Sequence, residues 1–283
     1  MRSVKYFLAA AGAATLLSSA ALAADMAIAP PPQMYAPPPV QDFGGWYLRG
    51  DIGFSNQKVD NLHYGRESAY SQLTSFNQQS SFDSAGIFGV GAGYRVNSWF
   101  RADVTGQYRG NANFKAVDNF TGSASGVPYS GTDSYGASKS EWLFLANAYV
   151  DLGTWWCMTP FIGAGVGGAR VSIANFTDQG IANNGGPALP GLALGNNVAK
   201  WNLAWALHAG VAYRVSPNFT VELAYRYLDM GDGLTGDLRT FDGTNAIVNP
   251  TTFKTLTSHD FKLGVRWELE SPPVYEPPLV RKG

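Results

Sequence analysis

The sequence predicts an all-β protein, an eight-stranded antiparallel transmembrane β-barrel, on three observations. Eight segments alternate apolar and polar residues with the period of two that sends successive side chains to opposite faces. The apolar faces end in aromatic residues, and the connections between segments alternate between short and long. Composition agrees. Charged residues make up 14% of the 283, against about 25% in ordinary soluble domains, while Phe, Trp and Tyr reach 13%. Beyond the first 23 residues no stretch is apolar enough for a spanning helix, which needs about 20 such residues.

Residues 1–23 read as a secretory signal peptide. Arg2 and Lys5 supply the positive start, Tyr6 to Leu17 the apolar centre, and Ala21-Leu22-Ala23 a small-x-small site that predicts cleavage after Ala23. The apolar run is too short for a membrane anchor. Cleavage takes the net charge from −1 to −3, and this weak acidity argues against nucleic acid as a partner. Residues 24–44 contain Pro30-Pro31-Pro32 and Pro37-Pro38-Pro39 and read as a polyproline-like linker. Residues 270–283 form a second Pro-rich tail, with Pro272-Pro273 and Pro277-Pro278. Between them, residues 45–269 form one unit without an internal boundary.

The strands follow in order. Trp46 to Ser55 sets Trp46, Leu48, Ile52 and Phe54 against Tyr47, Arg49, Asp51 and Ser55. Phe82 to Val96 is Gly-rich, with Phe88, Val90, Ala92 and Tyr94 on its apolar face. Trp99 to Arg109 sets Phe100, Ala102, Val104, Gly106 and Tyr108 against Arg101, Asp103, Thr105, Gln107 and Arg109. Ser140 to Leu152 places Trp142, Phe144, Ala146, Ala148, Val150 and Leu152 together. In Thr159 to Ile173, Gly163, Gly165 and Gly167 are expected to line the interior, leaving room for larger neighbours. Lys200 to Arg214, Phe219 to Tyr227 and Asp260 to Leu269 complete the set.

A soluble sandwich also alternates, so alternation does not choose alone. The segments run about 10 to 15 residues, longer than the 5 to 6 typical of soluble strands and long enough to cross a membrane when tilted. Trp46, Tyr94, Trp99, Tyr108, Trp142, Trp201, Tyr213, Phe219, Tyr227 and Trp267 suit two interfacial girdles. Asn97-Ser98, Gly153 to Met158 and Val215 to Asn218 read as periplasmic turns. Asn56 to Ser81, Asn111 to Lys139, Asn175 to Ala199 and Met230 to Ser258, each of roughly 25 residues, read as external loops. Lipid offers the backbone no hydrogen-bond partner, so the sheet must close, pairing Gly45 to Ser55 with His259 to Glu268.

The interior positions carry Arg49, Arg95, Arg101, Arg109, Arg214, Arg226, Lys262 and Arg266 against Asp51, Asp103, Glu141, Asp151, Glu222, Asp260 and Glu268. Near-balance predicts a plug of ion pairs rather than a selective channel, in an interior that side chains nearly fill at eight strands. A membrane-embedded hydrolase needs a His beside a Ser and a carboxylate. His208 points inward, and Ser258 and His259 are strand neighbours that face opposite ways, so no enzyme is expected. No cofactor or metal is expected either. The single cysteine, Cys157, in the turn Trp155-Trp156-Cys157-Met158, is expected to be a buried interfacial thiol flanked by anchoring aromatics.

Lys262, Gly264, Trp267 and Leu269, within Lys262 to Leu269, match the C-terminal assembly signal of bacterial outer-membrane proteins, although 14 residues follow it. Together with Gly45-Trp46-Tyr47, Gly89 to Tyr94 and Pro160 to Gly167, this makes the span resemble the alphaproteobacterial outer-membrane β-barrel family. That family includes small porin-like surface antigens and hemin-binding proteins and is related in architecture to OmpA/OmpX-type eight-stranded barrels. The resemblance implies location in the Gram-negative outer membrane, with lipid, lipopolysaccharide and the outer-membrane assembly machinery as partners, and with periplasmic components in reach of the Pro-rich tails. It also raises heme as a ligand, for which His63, Tyr64 and His259 are the candidate iron ligands. The competing reading of those three is that they are solvated polar residues. The leading functional expectation is a structural barrel contributing to envelope integrity and surface properties. The alternative is a narrow porin or a hemin- or ligand-binding surface receptor.

Overall fold

The computed structural model describes residues 44–64, 72–245 and 249–269. The signal peptide with Ala21 and Ala23, and the two Pro-rich segments, lie outside the described residues. Among the described residues fourteen strands follow one another: β1 (Gly45–Lys58), β2 (Asn61–Tyr64), β3 (Leu73–Phe82), β4 (Ala85–Arg95), β5 (Phe100–Ala124), β6 (Val127–Asp151), β7 (Met158–Asn184), β8 (Leu189–Gly195), β9 (Val198–Ser216), β10 (Phe219–Asp229), β11 (Gly233–Leu234), β12 (Leu238–Thr240), β13 (Thr251–Lys254) and β14 (Thr257–Glu268).

Eight of them close a ring. β1 pairs with β4, β4 with β5, β5 with β6, β6 with β7, β7 with β9, β9 with β10, β10 with β14, and β14 with β1, all antiparallel. The closing register runs from Tyr47 opposite Glu268 to Lys58 opposite Thr257, the pairing that the absence of hydrogen-bond partners in lipid demands. Alternation holds in every ring strand. Leu48, Ile52, Val90, Val104, Leu203 and Leu223 point outward and are exposed, while Arg49, Asp51, Arg101, Asp103, Ala204 and Glu222 point inward and are buried.

The aromatics form two bands. Trp46 packs edge-on against Tyr94, and Phe219 against Trp267, at the end bearing the short turns. Phe54 stacks near Phe261, Tyr108 lies 5.0 Å from Trp142, and Trp205 lies 5.5 Å from Tyr227 at the other end. These bands are the interfaces expected of an outer-membrane barrel.

The long connections are not the loops the sequence predicts. β5, β6 and β7 run 25, 25 and 27 residues and continue above the outer band as one sheet. β3 joins the upper part of β5, β8 joins the upper part of β7, and β12 joins β8. The polar composition that reads as loop is the solvated outer face of these extensions. Two bulges mark the change. Arg109 faces Glu141 but Ala112 faces Lys139, so β5 gains one residue. Ala174 faces Ser138 but Thr177 faces Gly136, so β7 gains one, with Asn175 at φ 54°. One inserted residue swaps the faces of everything beyond it.

Candidate functional site in the lumen

From the turn end upward the interior carries three layers. In the lowest, Glu222 on β10 gathers three guanidinium groups. Arg101 lies 3.3 Å and Arg49 3.4 Å away, and Arg266 donates to it at 2.5 Å. Arg49 also reaches Asp51 at 2.9 Å and Asp103 at 2.8 Å. Asp103 accepts further from Tyr47 Oη at 3.1 Å and Asn147 Nδ2 at 2.8 Å. Arg101 reaches Asp151 at 3.2 Å and lies over the Tyr149 ring, 4.2 Å from its centroid. At the rim Glu268 bridges Arg95 and Arg266. The small residues of β7 make this density possible: a Cβ on Gly165 would stand 2.1 Å from Asn147 Oδ1, so glycine lets that amide cross the lumen.

In the middle layer Asp260 on β14 holds Arg109 at 2.8 Å and Arg226 at 2.6 Å. Arg109 Nε donates to Glu141 at 2.7 Å, and Glu141 also pairs with Lys139. Lys262, 3.6 Å from Asp51, links the two layers. A buried charge is stable only when paired and hydrogen-bonded. Of the fifteen interior charges expected from sequence, fourteen are in such pairs, and Arg214 instead is exposed at the turn end. Lys139 was hidden in an expected loop. It is fully buried, and its ammonium lies 4.6 Å from the Phe82 ring centroid.

The upper layer is apolar and was not foreseen. β2, β11 and β13 form a small separate sheet whose Phe253 is completely buried against the inward faces of the ring strands. Phe253 lies 4.8 Å from Phe114, 6.2 Å from Phe176 and 6.3 Å from Phe82. Leu62, Leu143, Val171, Ile173, Met230 and Leu256 belong to the same cluster. Segments expected to be solvated thus fold inward and cap the charges. The available signal was the alternation Ala112, Phe114, Ala116 against Asn113, Lys115, Val117, apolar in and mostly polar out.

Other expected residues fall as follows. His208 is buried, with Nε2 3.2 Å from Asn147 Oδ1. Ser258 faces inward and accepts from Arg109 Nη2 at 2.8 Å. His259 faces outward, its Nδ1 2.6 Å from Tyr225 Oη and its ring beside Tyr227, so Ser258 and His259 do not meet. His63 and Tyr64 lie on β2, in a different sheet from β14. The sheet thus does not pair His63 and Tyr64 with His259, and no cluster of metal-binding side chains occurs among the described residues. In the assembly motif Lys262 and Gly264 point inward, and Trp267 and Leu269 outward. A Cβ at Gly264 would stand 2.7 Å from Asp51 Oδ1, so the glycine makes room for the first strand's carboxylate. Leu269 N donates to Trp46 O at 2.9 Å. Cys157, expected to be buried, is exposed, and both it and Trp156 adopt positive φ in the turn that Trp155 and Met158 close.

Comparison with known proteins agrees with this architecture. The chain is 33% identical over 211 residues to an uncharacterized protein of Brucella melitensis, covering 71% of this chain and 73% of the relative. It is 28% identical over 230 residues to a candidate adhesin of Rickettsia felis, covering 79% and 88%. Among solved structures it is similar to Neisserial surface protein A, with 16% identity, TM-score 0.42, and coverage of 80% of this chain and 97% of that one. Residues 9–268 match the family model described as the outer membrane protein beta-barrel domain, and the chain belongs to that family.

Proposed function

We propose that the protein is a structural barrel of the outer membrane, exported by a cleaved signal peptide and closed to solutes, which contributes to envelope integrity and carries a stiff external sheet that sets surface properties. The observation that carries this reading is the stacking of an apolar cap on two paired charge layers. An open pore needs a continuous wet path. Here the charges are consumed by one another, and above them Phe253, Phe114 and Phe176 fill the interior. Water and ions gain nothing from an apolar constriction, which gates by dewetting. The inward Ser258 and outward His259 supply no nucleophile–base pair, which supports a role without catalysis.

Planar-bilayer recording of the purified, folded protein tests it. The expected trace shows no stable openings. Reproducible single-channel steps that respond to substitution of lumen charges would replace this reading with that of a narrow porin. Hemin titration covers the receptor reading: a Soret shift lost on His63→Ala or His259→Ala would support it and count against a purely structural role.

A further inference from the structure

The distal half of the external sheet carries no charge. Asp118, Asp133 and Asp178 are the last charged residues on β5, β6 and β7 before the tips, and all three lie on the inward face. Beyond them, residues 119–132 and 179–199 contain no Asp, Glu, Lys or Arg, and neither does β3. A water-exposed surface ordinarily holds about 25 to 35% charged residues. The next outward charge on β5 is Lys115, two rungs below Asn119. Asn119 itself lies eleven residues beyond Tyr108 of the outer aromatic band. At about 3.3 Å per residue and about 40° tilt it stands roughly 25 Å above that band, in water.

Amides and hydroxyls stand where charges would. One outward rung sets Asn77, Asn119, Thr132 and Ile181 side by side on β3, β5, β6 and β7, and the next sets Ser75, Thr121, Ser130 and Asn183. These two rungs line an open groove of about 570 Å³, inside the range of about 300 to 1,000 Å³ common for small-molecule sites. Among the described residues no charged side chain lines it. Asn119 Oδ1 accepts from Thr132 Oγ1 at 2.8 Å, and Asn183 Oδ1 accepts from Ser130 N at 3.1 Å. These bonds fix the amide planes, and neither amide nitrogen donates to another described residue. Ile181, exposed beside them, supplies an apolar surface.

Such a face selects its guest by elimination. A charged guest would lose hydration there without gaining an ion pair. An apolar guest would leave the amide donors without partners. An extended peptide pairs along the edge of a sheet rather than across its face. A neutral sugar chain presents hydroxyl groups at its edges, which take amide donors, and C–H surface on its ring faces, which packs on Ile181. Adjacent strands lie about 4.8 Å apart, so a four-strand rung spans roughly 14 Å. The strand spacing is close to the length of one pyranose unit in an extended chain. A chain laid across the strands therefore meets about one polar side chain per sugar.

We propose that the outward face of the external sheet binds a neutral linear oligosaccharide, held across β3, β5, β6 and β7. Asn77, Asn119 and Asn183 donate to its hydroxyl groups, and one ring packs on Ile181. Polysaccharide of the producing cell and polysaccharide of another surface share this chemistry. The proposal goes beyond a closed barrel and stands whether or not the lumen conducts.

A glycan array probed with the folded, full-length protein in lipid nanodiscs tests it. The array carries neutral linear chains of increasing length, sialylated and sulfated counterparts, and the lipid-free surface polysaccharide of the producing cell. Neutral chains long enough to cross the four strands are expected to bind at least about tenfold tighter than single sugars or acidic counterparts, the worth of one or two polar contacts. Asn119→Ala with Asn183→Ala is expected to weaken the best neutral chain by a similar factor. Ile181→Asp, which places a charge in the groove, is expected to abolish binding, and Lys115→Ala, two rungs below, to leave it unchanged. An unboiled-versus-boiled gel shift checks that each variant is folded. Tighter binding of the cell's own polysaccharide or of a foreign chain identifies the source, and either supports the proposal. Neutral chains that bind no better than to empty nanodiscs overturn it. So does an acidic chain that binds as tightly as its neutral counterpart, or a neutral chain whose affinity ignores both groove variants.

Discussion

The lower and upper halves of β5 are the same strand turned inside out. Below the bulges, Val104, Gly106 and Tyr108 face outward and Arg101, Asp103, Gln107 and Arg109 face inward. Above them, Asn113, Lys115 and Asn119 face outward while Ala112, Phe114 and Ala116 are buried. The reversal follows the solvent. In lipid the outer face costs nothing to leave apolar, and the closed interior must hold polar groups that satisfy one another. In water the ordinary rule returns, and the apolar residues go inside. In β5 a single extra residue performs the switch, because a period of two changes face on a slip of one, whereas β6 carries no bulge and keeps Tyr135, Ala137, Lys139, Glu141 and Leu143 on one inward face. Two different forces therefore hold one continuous sheet: paired charge below and apolar burial above.

The comparison predicts that damage below is global and damage above is local. The largest effect is expected from Asp260→Ala. It strands Arg226 and leaves Arg109 with Glu141 as its one carboxylate, both guanidinium groups being fully buried, and loss of one partner in a buried ionic cluster costs about 3 to 5 kcal/mol. The whole barrel should melt at lower temperature, read as earlier loss of the gel shift. Phe253→Ala removes a comparable amount, about 3 to 5 kcal/mol for a buried phenyl, but from the cap. The ring should keep its melting temperature while the cap opens and admits ions in planar bilayers. Equal melting shifts for the two variants would mean that the halves are one cooperative unit.

The two halves also differ in how far they could be read in advance. The ring strands, the closing pair and the inward charges were legible because a two-sided environment writes itself as alternation: Arg101, Asp103 and Arg109 can only face one way if Phe100, Ala102 and Tyr108 face lipid. The cap was not legible for the same reason. In the external segments the polar residues outnumber the apolar ones, and the bulge at residues 110–111 exchanges the faces of β5 while its alternation in sequence runs on unbroken, so the pattern does not announce that Ala112, Phe114 and Ala116 turn inward. Phe253 stands in a segment of Thr and Asn that carries no period at all, and only the three-stranded sheet it joins makes it a core residue. Lys139 was missed because it belongs to a strand whose upper half looked like loop. For the assembly motif, sequence supplied the residues but not the cause at Gly264, which depends on where Asp51 on the first strand lies after closure.

Two intermediate effects sharpen the lower half. Leu223 is 64% exposed to lipid beside the buried Ala224. Leu223→Arg is expected to cost about 2 to 4 kcal/mol at mid-bilayer, whereas Ala224→Ser should be tolerated inside. Chemical unfolding from vesicles reads both, and equal costs would reverse the faces of β10. Asp51→Ala leaves Lys262 without its carboxylate, since Lys262 has no other ion pair among the described residues, while Arg49 keeps Asp103 and Glu222. The single change should lower stability by about 1 to 3 kcal/mol, the cost of an unsatisfied buried group. Asp51→Ala with Lys262→Met should recover most of that loss. A silent single variant with altered ion selectivity would instead mark a hydrated path past Asp51.

The smallest effect belongs to the upper half and is a matter of pH. Asp118 faces Asp133 across β5 and β6, Tyr135 faces Asp178 across β6 and β7, and Tyr135 Oη lies 3.4 Å from Asp133 Oδ2. Burial, with the neighbouring charges of Asp133 and Asp118, raises the Asp178 carboxyl to about 7. Burial and Asp118 raise Asp133 as well. The folded sheet therefore holds the Asp178 proton more tightly than the unfolded chain does, whose carboxyl titrates near 3.9. The resulting stabilisation is complete below about pH 4 and is lost as the pH climbs through about 7. The external sheet should exchange its amide hydrogens faster at pH 8 than at pH 5 after correction for intrinsic rates, with the ring strands unaffected. Asp178→Asn should flatten that dependence and slow exchange at pH 8, by an amount worth about 1 to 2 kcal/mol in local opening. If the ring strands loosen together with β6 and β7, the bulges do not separate two independently stabilised regions, and the lower half feels charge placed in the upper.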